Sequence, residues 1–263
     1  MKLAAEKICY AYIRENDVLH EVSLSVASGN ILFVLGANGS GKTTLLDCLS
    51  GVRVPRSGQV TIDGARLADL SLRERARRIG VVPQMHEPIF AYTVGQAVLM
   101  ARAPHLGLFG RPGKADIQAV EEALRAVGIA NLRDRPYTGI SGGERQLVLI
   151  ARGLAQGAGC LLMDEPAAHL DPHHQQDALG VVGALADDGF SFVVTSHHPN
   201  NALLYANEVL FLAAGTPVVY GPPRAVFTEE SLRTTYGIPF DIVRTDMGIR
   251  AILPCVRHRR STI

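Results

Sequence analysis

Short apolar runs alternate with glycine-rich loops and amphipathic segments along the chain. Residues 31–35, 79–82, 160–163 and 192–195 form continuous runs, which are typical of strands buried on both faces of a sheet. Glycines punctuate 36–41 directly after the first run, and 43–49 then has the pattern of a helix. A strand, a glycine loop and a helix in this order predict the opening of a βαβ unit with a parallel sheet.

A second, antiparallel sheet is predicted from a different pattern. Residues 60–64 alternate between apolar and polar positions and end on Asp63-Gly64, a dipeptide typical of a tight hairpin turn. Together with 8–12 and 22–26, this segment predicts a small antiparallel sheet beside the parallel one.

The middle of the chain, between Gln84 and Ile140, has a helical character. Apolar residues recur at helical spacing before a stop at Gly128, namely Ile117, Val120, Leu124 and Val127. Residues 93–102 also predict a helix, and 105–114, rich in glycine and proline, predict a loop. We expect this stretch to form a helical subdomain inserted into an α/β core.

Composition narrows the class of protein. The 263 residues are 47% hydrophobic and 19% charged, which predicts a globular chain with a sizeable core. With 26 Lys and Arg against 25 Asp and Glu, the chain lacks the positive excess of a general nucleic-acid binder. No apolar run reaches the roughly 18 residues that span a bilayer, and the N-terminus has no signal-peptide pattern. We therefore expect a protein that stays inside the cell.

Residues 36–43, Gly-Ala-Asn-Gly-Ser-Gly-Lys-Thr, fit the phosphate-loop pattern G-x-x-x-x-G-K-[ST]. The glycines let the backbone curl so that successive N–H groups point at phosphate oxygens, and the following helix adds the positive end of its dipole. We expect Lys42 to reach the β- and γ-phosphates of a nucleotide and the Thr43 hydroxyl to ligate Mg²⁺.

The apolar run at 160–163 ends in two carboxylates, Asp164 and Glu165. Acids at the carboxyl end of a strand face the crevice where α/β sheets bind ligands. We expect Asp164 to hold Mg²⁺, directly or through water, and Glu165 to act as general base on the attacking water. An acid pair alone also fits a solvated strand end, and the phosphate loop favours the catalytic interpretation.

Residues 141–145, Ser-Gly-Gly-Glu-Arg, precede an amphipathic helix. A Ser-Gly-Gly step at a helix start presents free N–H groups and a hydroxyl, so the segment predicts a second anion site. The spacing fits a simple N-cap equally well.

The order of these motifs resembles that of the nucleotide-binding subunit of ABC transporters, over most of the chain. Residues 140–144, Ile-Ser-Gly-Gly-Glu, are similar to the signature motif L-S-G-G-Q of that family, with Ile140 and Glu144 as departures. The resemblance implies an α/β P-loop NTPase with a RecA-like parallel core in 1–84 and 159–263. It also implies an antiparallel β subdomain and an inserted helical subdomain, 85–158, that carries the signature motif.

The resemblance implies roles for residues elsewhere in the chain. Gln84 matches the glutamine loop of the family, which senses Mg²⁺ and the γ-phosphate. Asp171 matches the loop that faces the opposite subunit. His197 matches the histidine that contacts the γ-phosphate, and its neighbour His198 remains an alternative.

Tyr12 matches the aromatic residue that stacks on adenine, with Tyr10 as the nearby alternative. The implied site thus uses Glu165, His197, Gln84 and Lys42 in catalysis, and Thr43, Gln84 and Asp164 around Mg²⁺. The residues implied to bind ATP are Tyr12, Gly36, Asn38, Gly39, Ser40, Gly41, Lys42, Thr43, Thr44, Ser141, Gly142, Gly143, Glu144 and Asp171.

Glu144 places a carboxylate where the family usually has a neutral amide. A negative charge near the γ-phosphate of a partner would repel it unless a cation offsets it. We expect the adjacent Arg145 to pair with Glu144, which would leave the Ser141 hydroxyl and the Gly143 N–H as the phosphate donors.

The resemblance implies an ATPase that forms a head-to-tail homodimer, with each ATP between one phosphate loop and the signature segment of the other subunit. It would drive a separate transmembrane permease from the cytoplasmic face of the cell membrane, indirectly served by a substrate-binding protein. Segments 89–94, 98–102 and 105–109 resemble those of bacterial uptake ATPases for metal chelates, such as iron–siderophore, haem, vitamin B12 or molybdate. The alternatives are an exporter and a non-transport ABC ATPase, and the latter usually has two cassettes or a coiled-coil insertion.

Overall fold

Twelve strands and nine α-helices make up the part of the chain that this computed structural model describes, residues 1–13, 16–84, 91–107, 109–213, 218–246 and 248–255. The strands are β1 Leu3–Ile13, β2 Asn16–Val26, β3 Ile31–Leu35, β4 Ser57–Ile62, β5 Ala65–Arg66, β6 Ile79–Val82, β7 Cys160–Met163, β8 Ser191–Ser196, β9 Glu208–Phe211, β10 Val219–Gly221, β11 Phe240–Thr245 and β12 Gly248–Pro254. The helices are α1 Lys42–Ser50, α2 Leu72–Arg78, α3 Val94–Leu99, α4 Lys114–Ala126, α5 Gly142–Ala155, α6 Pro172–Asp187, α7 Pro199–Tyr205, α8 Pro223–Val226 and α9 Glu229–Tyr236.

The central sheet has the strand order β10-β9-β3-β8-β7-β6. Its strands β6, β7, β8, β3 and β9 run parallel, and β10 pairs antiparallel at one edge. All four apolar runs of the sequence are strands of this sheet, which confirms that prediction. Because parallel strands end at the same edge, the loops after β3, β6, β7 and β8 meet there.

The predicted antiparallel sheet is confirmed, with the strand order β2-β1-β4-β5. Asp63 and Gly64 connect β4 to β5 with positive φ angles of 50° and 81°, which a type I′ turn requires. Both β1 and β2 extend beyond the predicted segments 8–12 and 22–26. The sequence pattern does not predict the additional residues, because shifts of register interrupt the pairing and break the alternation of apolar and polar positions.

The helices α3, α4 and α5 pack around one apolar cluster, with Val98, Leu124 and Ile150 fully buried. The segment predicted to be helical, 93–102, forms α3 up to Leu99, and its last three residues belong to a 3₁₀ helix, Met100–His105. Pro104 lies inside that segment and lacks the N–H that an α-helix would need there. The predicted loop is correspondingly shorter than 105–114, and the subdomain limits 85–158 stay a prediction.

Alternate residues of β3 face two different apolar clusters. Ile31, Phe33 and Leu35 belong to the cluster shared with α3, α4 and α5, whereas Leu32 and Val34 pack toward α1 and the antiparallel sheet. The central sheet is therefore buried on both faces, as its continuous apolar runs predict. None of the described helices combines the length and apolar character needed to cross a membrane.

The sequence pattern does not predict the C-terminal hairpin of β11 and β12, most of whose residues are partly or fully exposed. Asn200 of α7 docks this hairpin on the core. Its Nδ2 donates to the Ile252 carbonyl (2.9 Å), and its Oδ1 accepts from the Ile252 N–H (2.8 Å). One side chain thereby satisfies both backbone groups of a buried residue.

We predict that Asn200→Ala loosens the hairpin, because it leaves both polar groups of the buried Ile252 without a partner. The cost should be about 1–3 kcal/mol. Hydrogen exchange of residues 240–254 measures it, with Leu204→Ala, an exposed position on the same helix, as the control. Equal exchange in both variants would contradict this role of Asn200.

Candidate active site

The loops that follow β3, β6, β7 and β8 surround an open cavity of about 680 Å³, within the range of small-molecule sites. Its lining residues are Tyr12, Val18, Asn38, Gly39, Gly41, Lys42, Thr43, Thr44, Gln84, Asp164, Glu165, Ala168, His169 and His197. Most of the residues predicted to bind nucleotide, Mg²⁺ or the attacking water therefore share one cavity.

The phosphate loop takes the backbone shape that its glycines permit. Gly39 and Gly41 have φ angles of 80° and 99°, in the region that residues with a Cβ rarely adopt. The helix α1 begins at Lys42, directly after the loop, so its unpaired N–H groups and the positive end of its dipole lie at the cavity.

Two predicted binding residues of this loop, Gly36 and Ser40, are not among the cavity-lining residues. A Cβ on Gly36 would lie 2.3 Å from Ser40 Oγ and 2.5 Å from the Leu212 carbonyl oxygen, so only glycine fits there. Ser40 is buried, and its N–H donates to the Ala37 carbonyl (3.2 Å). In this structure both residues lie outside the cavity lining and contribute to the shape of the loop.

Lys42 is almost fully buried, with 6% of its side chain exposed. Its Nζ donates to the carbonyls of Gly36 (2.9 Å) and Ala37 (3.1 Å) and lies 3.1 Å from Glu165 Oε1. All three ammonium donors are thus engaged. One side chain joins the phosphate loop to the acidic motif.

Glu165 lies between Lys42 and His197. Its other oxygen accepts from His197 Nδ1 at 2.8 Å. Burial opposes ionisation of this carboxyl, but the hydrogen bond and charge of Lys42, with those of His197, hold its pKa below the ordinary glutamate value. The backbone at Glu165 has a φ of 44°, a conformation that costs energy for a residue with a Cβ.

The two residues predicted to hold Mg²⁺ with their oxygens are in contact. The Thr43 hydroxyl donates to Asp164 Oδ2 at 2.8 Å. A hydroxyl and a carboxylate beside a phosphate loop are the hard oxygen ligands that Mg²⁺ prefers, so these residues fit the ion. Gln84 lines the same cavity, but its Nε2 lies 3.5 Å from His169 Nε2, so its role at the metal stays a prediction.

Sequence reasoning missed Thr195, which positions both acids. This residue of β8 is fully buried, and its Oγ1 accepts from the Glu165 N–H (2.8 Å) and donates to Asp164 Oδ1 (2.7 Å). The bond to the Glu165 N–H also helps to hold the unusual backbone at that position. Thr195 is the one polar residue of the apolar run 192–195, and this was the pattern that could have indicated it.

The structure distinguishes the two candidate histidines by place. His197 lines the cavity and is bonded to Glu165, whereas His198 lines a smaller pocket behind the acidic motif. The two rings lie 3.9 Å apart between centroids. Burial, and then the neighbouring His197, lower the pKa of His198. The geometry therefore favours His197 as the residue that meets a ligand.

The two candidate tyrosines are also placed differently. Tyr12 lines the cavity, and its hydroxyl is 2.9 Å from Thr44 Oγ1. Tyr10 packs edge-on against Tyr12, and its hydroxyl accepts from Arg53. The Arg53 guanidinium lies 4.7 Å from the centre of the Tyr12 ring and covers one face, so a base can stack only on the other.

Ser141 is the N-cap of α5 and forms a capping box with Glu144. The Ser141 Oγ accepts from the Glu144 N–H (3.2 Å), and Glu144 Oε2 accepts from the Ser141 N–H (2.7 Å). This backbone bond is the main reason that the pKa of Glu144 lies below its ordinary value. A hydrogen bond from the Ser141 side chain lowers that pKa further. The structure thus shows the cap, and the anion site stays a prediction.

The expected pairing of Arg145 with Glu144 is wrong. Arg145 Nε instead donates to the Ile140 carbonyl (3.3 Å). Consecutive residues of a helix point in different directions, and the carboxylate is already turned back to the helix N-terminus. Residues 141–144 and Asp171 are not among the residues that line the cavity. Asp171 is the N-cap of α6, and its side chain accepts from the His174 N–H.

The sequence matches the family described as ABC transporter over residues 19–168, more than half of its length. This chain belongs to the ABC transporter family. The match contains the phosphate loop, Gln84, the signature segment and the acid pair, so the motifs found by inspection fall within the part that defines this family.

Individual ABC proteins are similar to this one over most of its length. The hemin import ATP-binding protein HmuV of Pseudomonas putida is 41% identical over 228 residues, covering 85% of this chain and 88% of that protein. The cobalamin import ATP-binding protein BtuD of Halobacterium salinarum is 40% identical over 220 residues, covering 83% of this chain and 55% of that protein.

A solved structure supports the fold as well as the family. An ABC transporter described as being of metal-chelate type, in an inward-facing conformation, has a chain 31% identical to this one. The two superpose with a TM-score of 0.84, and the alignment covers 97% of each chain. The predicted α/β P-loop NTPase fold of an ABC ATPase is thereby confirmed.

We predict that Thr195→Val lowers the rate of ATP hydrolysis by this ABC protein about 10–100-fold, the usual effect of removing a group that orients metal ligands. Valine keeps the shape but frees both acids. Thr195→Ser keeps the hydroxyl and should remain close to wild type. The measurement is kcat at saturating ATP and Mg²⁺, and equal rates for Val and Ser would contradict the role of the hydroxyl.

Proposed function

We propose that this chain is the ATP-hydrolysing subunit of an ABC importer for a metal chelate. One observation carries the proposal: the phosphate loop and the acid pair share one cavity through the Lys42–Glu165 ion pair, with 3.1 Å between nitrogen and oxygen. Loop N–H groups, an ammonium and a carboxylate are what a phosphoryl group, and the water that attacks it, require.

ATP binding begins with competition for Lys42. The triphosphate brings several negative charges to an ammonium that carbonyl oxygens and one carboxylate now hold. Contacts from Lys42 to the β- and γ-phosphates would draw it away from Glu165. Adenine would stack on the face of Tyr12 opposite Arg53, and Thr43 and Thr44 would approach the phosphates from the start of α1.

Thr43 and Asp164 supply the oxygens that would hold Mg²⁺, with Gln84 on the same cavity wall. When bound, Mg²⁺ neutralises charge on the phosphates during transfer. Thr195 holds the Asp164 carboxylate through its second oxygen, so the side chain keeps one orientation.

Glu165 is the general base of the proposed reaction. Once the phosphates engage Lys42, one carboxylate oxygen is free to accept a proton from the water that attacks the γ-phosphorus. The pKa of Glu165 is lowered in the nucleotide-free site, so the base is ionised at neutral pH. His197 is oriented through Nδ1 by Glu165, which leaves Nε2 for the γ-phosphate.

The signature segment completes the site of a second copy. Residues 141–144 lie outside the cavity of their own chain, yet they form a helix N-terminus, which is a favourable place for an anion. In a head-to-tail homodimer they would bind the γ-phosphate of the ATP held by the other subunit, with Asp171 beside them. ATP then links the subunits, and hydrolysis separates them.

Transport is the outcome that the relatives support. Proteins named for the import of hemin and cobalamin are about 40% identical to this chain, and the solved structure is of metal-chelate type. We assign the chain a separate transmembrane permease as partner, a substrate-binding protein that delivers cargo, and a peripheral position on the cytoplasmic face of the membrane. Its balanced charge, +1, offers no general affinity for nucleic acid.

We predict that Glu165→Gln binds ATP but hydrolyses it about 10²–10⁴ times more slowly, because an amide cannot accept the proton. The purified variant should become a dimer when ATP is added, which light scattering measures. Glu230→Gln, at an exposed position of α9, is the control. Near-normal turnover of Glu165→Gln would remove Glu165 from the mechanism.

We also predict that Glu144→Gln changes hydrolysis only several-fold. Glutamine still accepts the Ser141 N–H, so the capping box survives. Ser141→Ala removes the cap, worth about 1 kcal/mol, together with the proposed phosphate donor, and should cost far more activity. Measured ATPase rates that are equally low in both variants would show an essential role of the Glu144 charge.

A further inference from the structure

His174, in the first turn of α6, holds the carboxylate of Asp171 in two ways. Its backbone N–H donates to Oδ1 (3.0 Å), and its ring Nδ1 donates to Oδ2 (2.6 Å). A carboxylate has about four acceptor sites, so each oxygen can still accept a bond from another molecule. Asp171 is thus held in one orientation, and its carboxylate can still accept further hydrogen bonds.

The same imidazole lies against the signature segment. A Cβ on Gly143 would be 2.2 Å from His174 Cδ2, 2.7 Å from Cγ and 3.0 Å from Cβ. These atoms belong to a rigid ring and its attachment point, so they cannot yield as the end of a flexible chain would. This contact therefore requires glycine at position 143.

Three carboxylates surround His174. Asp171 and Asp177 belong to its own helix, and Glu144 belongs to the facing helix α5. The hydrogen bond and charge of Asp171 raise the pKa of His174, with smaller contributions from Asp177 and Glu144. Glu144 thus interacts favourably with the protonated form of His174, the kind of compensation that the sequence suggested for Arg145.

We propose that His174 is a positioning residue that holds Asp171 and the signature segment together as one surface for the second subunit. It would not touch ATP and acts through these two neighbours. Fixing them before association spares the dimer the ordering cost of two independent segments. This inference rests on the proposed function, because the surface matters only when two copies close around ATP.

The chain carries a matched control one residue away. The His173 side chain is 80% exposed, and its ring nitrogen faces Asp177 at 3.7 Å. It shares the helix, the residue type and one charged neighbour with His174, but the ion-pair partner of its ring is Asp177 and not Asp171. Replacing each histidine by alanine separates the contact from any general effect of losing an imidazole.

The test uses the purified full-length chain with Glu165→Gln as reference, in which ATP drives dimerisation without turnover. We expect His174→Ala to raise the dimer dissociation constant about tenfold, which is ~1.4 kcal/mol. ATP binding by the monomer should not change, because His174 does not line the cavity. His173→Ala should match the reference, and His174→Asn, whose amide can donate to Asp171, should recover most of the loss.

A second pair of variants tests the contact with Gly143. Gly143→Ala should weaken dimerisation, and adding His174→Ala to it should restore part of the loss, because the ring no longer meets the added methyl group. A double variant as weak as the sum of the two single changes would show that the ring is not the constraint.

Results that would contradict the role of His174 can be distinguished from results that would contradict the proposed function. Dimerisation of His174→Ala within about twofold of the reference, or an equal loss of ATP binding by its monomer, overturns the role of His174 alone. A reference protein that binds no ATP, or that binds ATP and stays monomeric, overturns the proposed function and the role of His174 with it.

Discussion

The buried ammonium of Lys42 is the constraint on which the rest of the site depends. A charge with 6% of its side chain exposed must be paired, since leaving water unpaired would cost several kcal/mol. Its three donors reach two carbonyls of the phosphate loop and one oxygen of Glu165. A single charge thus sets the curl of the loop and the place of the acid, although β3 and β7 are separated in the sheet by β8.

In the function that we propose, ATP competes with Glu165 for this ammonium, and the competition connects binding to catalysis. In the nucleotide-free structure, Glu165 forms an ion pair with Lys42 and a hydrogen bond with His197. The exchange needs no change of fold, because Thr195 and the strained backbone at Glu165 hold the acid at the end of β7 throughout. The signature segment and Asp171 do not line this cavity in their own chain, and in the proposed homodimer a second subunit would supply them.

The phosphate loop and the acid pair could be predicted from the sequence because each chemistry demands set residue types at set spacing. The four buried strands could be predicted for a similar reason, since a sheet covered on both faces needs uninterrupted apolar runs. Residue spacing does not predict a contact between residues that are distant in the sequence. Thr195 resembles any residue of a buried strand until its hydroxyl is seen between Asp164 and the Glu165 N–H. The docking of the last hairpin likewise involves Asn200, whose side chain reaches a segment distant in the sequence with little apolar pattern.

The direction in which a side chain points was the other feature that the sequence could not predict. Arg145 is next to Glu144 in the sequence, but the helix turns them apart, and His174 from another helix approaches instead. Residues 89–90 and Leu108, which contributed to the resemblance to metal-chelate ATPases, lie outside the described residues.

The most direct test of the central claim is the pKa of Glu165 with and without nucleotide. Carbon-13 NMR of the labelled carboxylate, with Glu165→Gln to assign its resonance, measures it in the free protein and with a non-hydrolysable ATP analogue. In the free protein, where burial is outweighed by Lys42 and His197, the pKa should lie below the ordinary glutamate value. It should rise when the analogue binds, because the phosphates take Lys42 and add negative charge nearby. A pKa that stays the same with the analogue bound would show that ATP does not displace Glu165 from Lys42, and would contradict the account.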